Sequence, residues 1–252
     1  MKLLLRICYL GTDFCGYQIQ KDKRTVQGEL NRAARELFGF DCDVTGCSRT
    51  DSGVHANDFC ATVTKKGEDI LPTDIDISKI PRAMTAHLPV DISVKSAEWV
   101  DGAFHPRYDV KYKEYVYRIY NGEVRSPFAE GRAFHYPRRI DDMAFEKMRS
   151  AAEKFIGRHD FTSFMAQGSN VSTTVREVFY ASVERSGDEI LFRVAADGFL
   201  YNMVRIMAGT LIGVAEGRFA PEDIETIIEL LNRERAGMTA AACGLYLNKV
   251  VY

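Results

Sequence analysis

The chain has 252 residues, enough for one large domain or two smaller ones, each with its own core. Its composition, 46% hydrophobic and 27% charged, is typical of a soluble globular protein and excludes a disordered or low-complexity chain. The formal net charge is −2 and the sequence pI is about 6.2. This balance excludes a nucleic-acid binder that depends on overall positive charge, so a nucleic acid would have to be bound by a local basic patch.

Two apolar runs could be mistaken for targeting or membrane segments. The run at residues 1–10 is interrupted by Arg6 and no small-residue cleavage site follows it, so it predicts a first β-strand. The run at residues 199–215 contains Asn202 and Arg205 and is too short and too polar to span a bilayer. We therefore expect a cytoplasmic protein.

The six cysteines are scattered along the chain, and no two have the C-x-x-C spacing of a zinc or redox site. One alternative is that Cys42, Cys47, His55 and Cys60 converge on a metal ion. Buried reduced thiols agree better with the spacing, so we expect no metal.

The first hundred residues predict the order βαββαβ. The elements are a strand at residues 1–10, a helix from Thr25 to Gly39, a strand leading to Asp51, a strand at 59–63, a helix at 78–87 and a strand at 91–97. Thr25 is a favoured N-cap and Gly39 a favoured terminator, and apolar residues recur between them with helical spacing. This order is that of a ferredoxin-like unit.

The second half predicts the same order with larger parts. The elements are a strand at residues 111–120, a helix capped by Asp141, a hairpin of residues 174–184 and 189–196, a helix from about Phe199, a helix near Pro221 and a strand at 246–251. We therefore predict an α+β fold of two ferredoxin-like (RRM-like) βαββαβ halves. They would form a mostly antiparallel sheet flanked by helices, with a cleft between them. The predicted domains are residues 1–104 and 105–252.

The stretch from Arg49 to His55 brings together an acid, two bases and two hydroxyls at the end of a predicted strand. If residues 43–49 are extended, Arg49 and Asp51 point to the same side, because side chains alternate along a strand. Asp51 and Ser52 before Gly53 are also ordinary turn residues, so a turn with a solvated Arg49 is the alternative interpretation.

Residues 104–120 combine six aromatic side chains with several bases, and five of the twelve tyrosines lie here. On a strand, Tyr115 and Tyr117 share one face with Lys113. Interleaved rings and cations suit unpaired or flipped nucleotides, because rings stack on bases and cations meet phosphates. An ordinary sheet strand is the alternative, since tyrosine is common in strands.

Arg205 is the only charged residue in the seventeen residues from Phe199 to Ala215. Because the surrounding pattern predicts a buried helix, the guanidinium requires an anion, either a carboxylate or a ligand phosphate. Asp51 is a candidate partner, and a purely structural ion pair is the alternative.

Several separated blocks, in the correct order, resemble the TruA-type tRNA pseudouridine synthases. Tyr9 to Gln18 is similar to the family's Y-D-G-T-x-F-x-G-W-Q, and Ser48 to Ala56 is similar to its G-R-T-D-A-G-V-H-A. Further blocks are Thr25 to Leu30, Lys113 to Tyr117, His159 to Phe164, Met203 to Arg205 and Gly244 to Leu247. The departures include Leu10, Tyr17, Ser48 and Ser52, which replace an acid, a tryptophan, a glycine and an alanine.

The resemblance implies isomerisation of uridine to pseudouridine in tRNA without a metal or other cofactor. Asp51 would be the catalytic nucleophile or base, acting at the ring or at the sugar, and Arg205 would hold it ionised. Tyr115 would stack on the flipped base and Arg49 would brace the gap that it leaves. His55 and Leu245 are the remaining residues expected to bind substrate.

The resemblance also implies partners. The expected substrate is the 3′ side of the tRNA anticodon stem-loop, at positions 38, 39 and 40, and the family works as a homodimer. The active-site cleft would lie between a first half that carries the aspartate and a second half that carries the tyrosine and the arginine.

Two other functions are alternatives. A glycoside or nucleoside hydrolase would use Asp51 with a second carboxylate, for which the sequence offers no candidate. A non-catalytic RNA-binding protein built from ferredoxin-like halves would need no catalytic aspartate.

Overall fold

The computed structural model describes residues 1–168 and 171–252. Contacts within the chain divide it into two compact units. The first consists of Met1–Lys111 and Leu247–Tyr252, and the second is Tyr112–Tyr246. The boundary expected between residues 104 and 105 stays a prediction. Both units mix helices with a mostly antiparallel sheet, which confirms the α+β class.

The first unit has the predicted βαββαβ order. Its elements are β1 (Lys2–Tyr9), α1 (Val26–Phe38), β2 (Cys42–Gly46), β3 (His55–Lys65), α2 (Ile80–His87) and β4 (Ile92–Val100). The strands follow the order β4-β1-β3-β2, and every pair is antiparallel. Leu5 lies opposite both Ala61 and Ala97, so β1 is interior to the sheet.

The helix α1 begins and ends where its capping residues predict. The Thr25 hydroxyl accepts a hydrogen bond from the Gly28 amide at 3.3 Å, and Gly39 ends the helix in the left-handed conformation with a φ of 79°. The apolar face of the helix is buried at Val26, Leu30, Ala33 and Ala34. Their spacing follows the helical repeat, so the sequence pattern and the buried face coincide.

The second unit repeats the order and adds short elements. Its elements are β5 (Tyr112–Tyr120), β6 (Phe134–His135), α3 (Asp142–Glu153), β7 (Gly157–Asp160), β8 (Val175–Ser186), β9 (Glu189–Ala196), α4 (Met203–Ala215) and α5 (Asp223–Glu229). The sheet order is β5-β9-β8-β7, all antiparallel, and β6 pairs with β5 in parallel. The last strand, β10 (Leu245–Val251), begins at the end of this unit.

Two element boundaries differ from the sequence prediction. The helix expected from about Phe199 begins at Met203, because Asn202 has a φ of 59° and a left-handed residue cannot lie inside a right-handed helix. The strand before Asp51 ends at Gly46, so Arg49 and Asp51 both lie in the following loop. In the described part of the chain, no helix has the length and apolar character that a membrane span requires.

Candidate active site

Asp51 lies on a tight turn between β2 and β3. The Asp51 carbonyl accepts a hydrogen bond from the Val54 amide at 3.2 Å, and Gly53 provides the left-handed residue with a φ of 80°. The Asp51 side chain is partly exposed and Arg49 is exposed. Because both residues lie beyond the end of β2, strand alternation does not fix the side to which Arg49 points.

The glycine-rich loop after β1 packs against the turn that carries Asp51. The Tyr17 amide donates to the Thr50 carbonyl at 3.0 Å, and the Ser52 hydroxyl donates to the Phe14 carbonyl at 3.1 Å. The hydroxyls of Tyr9 and Thr50 lie 2.8 Å apart. Hydrogen bonds therefore hold the residues on both sides of Asp51.

Two glycines allow this close approach. A Cβ atom on Gly11 would lie 1.9 Å from the Val54 carbonyl oxygen, and one on Gly16 would lie 2.8 Å from the Thr50 carbonyl oxygen. Gly16 also has a φ of 85°, a conformation that other residues rarely adopt. The two sequence blocks, Tyr9 to Gln18 and Ser48 to Ala56, thus form one structural element around Asp51.

His55, at the start of β3, is hydrogen-bonded to the glycine-rich loop. Its side chain is fully buried, and its Nδ1 accepts a hydrogen bond from the Gly11 amide at 2.9 Å. An accepting Nδ1 places the proton of the neutral ring on Nε2. His55 therefore ties the glycine-rich loop to the start of β3. Its assignment as a substrate-binding residue stays a prediction.

A buried aromatic and thiol layer lies under the loop. Tyr17 stacks on Phe59 with ring centroids 4.5 Å apart, and burial raises the pKa of the Tyr17 hydroxyl. The Cys60 amide donates to the Cys47 sulfur at 3.4 Å, and burial raises the pKa of the Cys60 thiol to about 12. Among residues 1–168 and 171–252, no group of three or more His, Cys, Asp or Glu could hold a metal ion. The alternative metal site at the cysteines is therefore not supported.

In the second unit, Tyr115 lies on β5 with only 7% of its surface exposed. Its ring meets that of Phe199 edge to face, with centroids 4.9 Å apart. The neighbouring Tyr117 is fully buried and donates its hydroxyl hydrogen to the Ala241 carbonyl at 2.8 Å. Both tyrosines are thus packed on the face of β5 that the alternation predicted. Leu245, at the start of β10, is buried with 6% exposure.

Arg205 lies in the first turn of α4 and is half-buried rather than fully buried. Its Nε donates to the Ala240 carbonyl at 2.7 Å, and its Nη1 donates to the Asn202 side-chain oxygen at 2.9 Å. The Ala240 amide donates in turn to the Arg205 carbonyl at 3.1 Å. These contacts fix the guanidinium in one orientation. The pairing of Arg205 with Asp51 stays a prediction.

Sequence reasoning missed the residues that position these side chains. The contact of Gly11 and Gly16 with the turn that carries Asp51 was not predicted, although glycines in a loop can indicate a close approach of backbones. Asn202 and Ala240, which hold Arg205, have no chemical signature in the sequence.

Comparisons with known proteins identify the class of enzyme to which this chain belongs. The family model described as tRNA pseudouridine synthase matches residues 151–252. A tRNA pseudouridine synthase A of Acetivibrio thermocellus is 42% identical over 253 residues, covering 100% of this chain and 99% of that protein. One of Bacillus licheniformis is 43% identical over 257 residues, with 100% and 99% coverage. The chain belongs to the tRNA pseudouridine synthase A family.

Among solved structures, a chain from a crystal structure of a Cbf5-Nop10-Gar1 complex has a TM-score of 0.35 and 14% identity. The match covers 97% of this chain and 57% of that chain. A TM-score this low does not establish a shared fold.

Family membership gives the reaction. The protein is an isomerase that converts uridine in tRNA into pseudouridine. The comparisons support neither a glycoside or nucleoside hydrolase nor a non-catalytic RNA-binding protein.

Proposed function

We propose that Asp51 carries out this isomerisation, at uridines on the 3′ side of the anticodon stem-loop. The observation that carries the proposal is the way the turn is held. Loop residues 11–17 fix the backbone before and after Asp51, while the carboxylate stays partly exposed. A catalytic group needs this combination of a fixed position and an accessible side chain.

The reaction breaks the bond between C1′ of the ribose and N1 of the uracil, turns the base and joins C1′ to C5. The hydrogen on C5 leaves as a proton and N1 gains one, so substrate and product are isomers and no oxidant or reductant is consumed. Asp51 acts at the ring or at the sugar and is released unchanged. The proposal includes no metal or other cofactor.

The other site residues have separate roles in the proposal. Tyr115 presents a ring, held by Phe199, on which the flipped base stacks. Arg49, exposed two residues before Asp51, fills or braces the gap in the RNA. Arg205 keeps Asp51 ionised, for which its fixed guanidinium is suited.

Two buried residues complete the proposed site. Leu245 contributes apolar contact to the substrate. His55 binds the substrate, as the resemblance implies, while its Nδ1 holds the Gly11 amide.

Release of tritium from C5-labelled uridine in tRNA transcripts tests the role of Asp51. The wild type should release label, and Asp51→Asn should release none within the time of many wild-type turnovers. Asp41→Asn is the matched control, since Asp41 is exposed in the same unit, and it should behave as the wild type. Substantial release by Asp51→Asn would refute the proposal.

The substrate position needs its own experiment. Anticodon stem-loops in which the uridines at positions 38, 39 and 40 are changed singly to cytidine should each lose one pseudouridine, mapped by primer extension. Pseudouridine formed elsewhere in the tRNA would contradict the assigned position.

We further propose that the protein acts as a homodimer in the cytoplasm, as the resemblance implies. Sedimentation equilibrium should give twice the mass of the 28.4 kDa chain. Cell fractionation should place the protein with cytoplasmic tRNA. A monomer with full activity would contradict the dimer.

A further inference from the structure

An aromatic stack in the first unit has no part in the proposed reaction. Tyr108 is 74% exposed, and its ring lies flat against that of His105, with centroids 4.3 Å apart and an interplanar angle of 28°. Tyrosine normally buries most of its ring, because the ring is largely apolar. A ring held outward against a second ring presents a flat surface ready for a planar ligand.

Four hydrogen bonds hold the turn that carries the stack. The amides of Tyr108 and Asp109 both donate to the His105 carbonyl, at 3.2 and 3.1 Å. The His105 amide donates to the Asp109 carboxylate at 2.9 Å, and the Arg107 amide donates to His105 Nδ1 at 3.1 Å. The last bond fixes the imidazole ring itself. Binding to such a preformed surface costs little conformational entropy.

The segment is anchored on both sides of this turn. The Tyr252 hydroxyl donates to the Pro106 carbonyl at 2.9 Å, and the rings of Phe104 and Tyr252 pack edge to face at 4.9 Å. The Lys111 amide donates to the Val251 carbonyl at 2.8 Å. The stack is therefore part of the first unit's framework, although its outer ring is exposed.

Positive charge lies beside the stack in a chain whose net charge is negative. The Arg107 guanidinium lies over the Tyr108 ring, with its carbon 5.9 Å from the ring centre, and Arg107 and Lys111 are both exposed. Asp109, an acid in the same turn, already accepts a hydrogen bond from the His105 amide. Rings that stack on bases together with cations that meet phosphates are the two components of single-strand RNA recognition.

We propose that the His105–Tyr108 stack is a second RNA-binding site, which takes an unpaired base of the tRNA substrate on the exposed side of the Tyr108 ring. Arg107 and Lys111 meet the adjoining phosphates. The site binds and orients the tRNA and takes no part in the chemistry at the uridine. It rests on tRNA being the substrate and does not depend on the role of Asp51.

Equilibrium binding of a fluorescently labelled tRNA transcript tests the site, with every variant made both in the wild-type and in the Asp51→Asn background, so that the comparison does not depend on whether the RNA reacts. Tyr108→Ala should weaken binding roughly 5- to 150-fold, the range expected for one lost base stack. Tyr108→Trp should bind as the parent does, and Tyr108→Leu should be as weak as Tyr108→Ala. Val90→Ala, which changes a fully exposed apolar residue elsewhere in the same unit, is the control and should have no effect.

Single abasic sites placed along the tRNA identify the base. One abasic position should weaken binding to the Asp51→Asn parent and have no further effect with Tyr108→Ala. Arg107→Gln should lower the salt dependence of binding by about one phosphate contact. In the otherwise wild-type enzyme, Tyr108→Ala should raise KM and leave kcat unchanged.

Three results would overturn the proposal. The first is a Kd that changes less than about twofold in Tyr108→Ala. The second is tRNA binding restored equally by Tyr108→Leu and Tyr108→Trp, which would indicate a merely apolar contact such as one with a protein. The third is a fall in kcat at unchanged Kd in Tyr108→Ala. Because the binding assay needs no turnover, a failure here is distinct from a failure of the role proposed for Asp51.

Discussion

Replacing Gly11 with alanine should disable the enzyme through the turn that carries Asp51. The new Cβ atom would lie 1.9 Å from the Val54 carbonyl oxygen and 2.6 Å from its carbon. Backbone atoms cannot rotate away, so the two loops must separate by about 1.5 Å to reach ordinary contact. The change also disturbs the hydrogen bond from the Gly11 amide to His55.

The size of the effect follows from these contacts. Overpacking costs about 1–3 kcal/mol, and the hydrogen bond to buried His55 adds about 1 kcal/mol, so we expect the free energy of unfolding to fall by about 2–4 kcal/mol. A catalytic group displaced by about 1 Å loses on the order of a hundredfold in rate. We therefore expect kcat to fall about a hundredfold in the molecules that remain folded.

Urea unfolding and kcat at saturating tRNA measure the two effects separately. Gly39→Ala is the control for adding a Cβ atom, because a Cβ atom there meets nothing within 4 Å, although Gly39, unlike Gly11, has a positive φ of 79°. That variant should lose about 1 kcal/mol of stability and keep its kcat. A wild-type kcat in folded Gly11→Ala would refute the view that close packing of the two loops positions Asp51.

Three further predictions concern stability and the second unit. Thr25→Ala removes the N-cap of α1, so urea unfolding should show a loss of about 1 kcal/mol with kcat unchanged. The pKa of Cys60 is raised to about 12, so the folded state keeps its thiol neutral where the unfolded thiol ionises. The free energy of unfolding should therefore be independent of this thiol below about pH 8 and fall as pH rises between about 9 and 12, and this decline should be shallower in Cys60→Ala. A lysine at position 205 cannot contact both Ala240 and Asn202 as the guanidinium does. In Arg205→Lys, kcat should therefore fall at least about tenfold, while the free energy of unfolding in urea changes by less than about 2 kcal/mol. An unchanged kcat would contradict the positioning role of Arg205.

The sequence predicted those parts of the fold that local chemistry determines. The limits of α1 follow from Thr25 and Gly39, whose capping preferences act within one turn of chain. The hairpin of β8 and β9 follows from two apolar runs separated by turn residues. The ferredoxin-like order could be predicted because each of its elements has a periodic pattern of its own.

Contacts between distant segments could not be predicted in this way. The close contact between Gly11 and Val54 joins two loops more than forty residues apart. A glycine in the sequence does not indicate which backbone segment will approach it. The end of β2 at Gly46 was missed because Cys47 to Arg49 are compatible with an extended chain. The family resemblance therefore predicted that Asp51 is a site residue, but it did not predict the loop contacts that hold the turn of Asp51.

Half-burial of Arg205 has a similar origin. Hydrophobic neighbours along the chain predicted a fully buried side chain, because periodicity describes the helix as a whole. The residue lies in the first turn of α4, where the segment that contains Ala240 accepts its hydrogen bond. At the ends of helices, contacts with distant segments replace the hydrogen bonds that the helix itself cannot form.

The most direct test of the central claim is a single-turnover experiment with enzyme in excess over C5-tritiated tRNA, combined with a measurement of tRNA affinity. If Asp51 acts at the uridine, Asp51→Asn should bind tRNA within about threefold of the wild type and release label at least about a thousandfold more slowly. Asp51→Asn that binds tRNA normally and releases label within tenfold of the wild-type rate would contradict a catalytic role for this carboxylate.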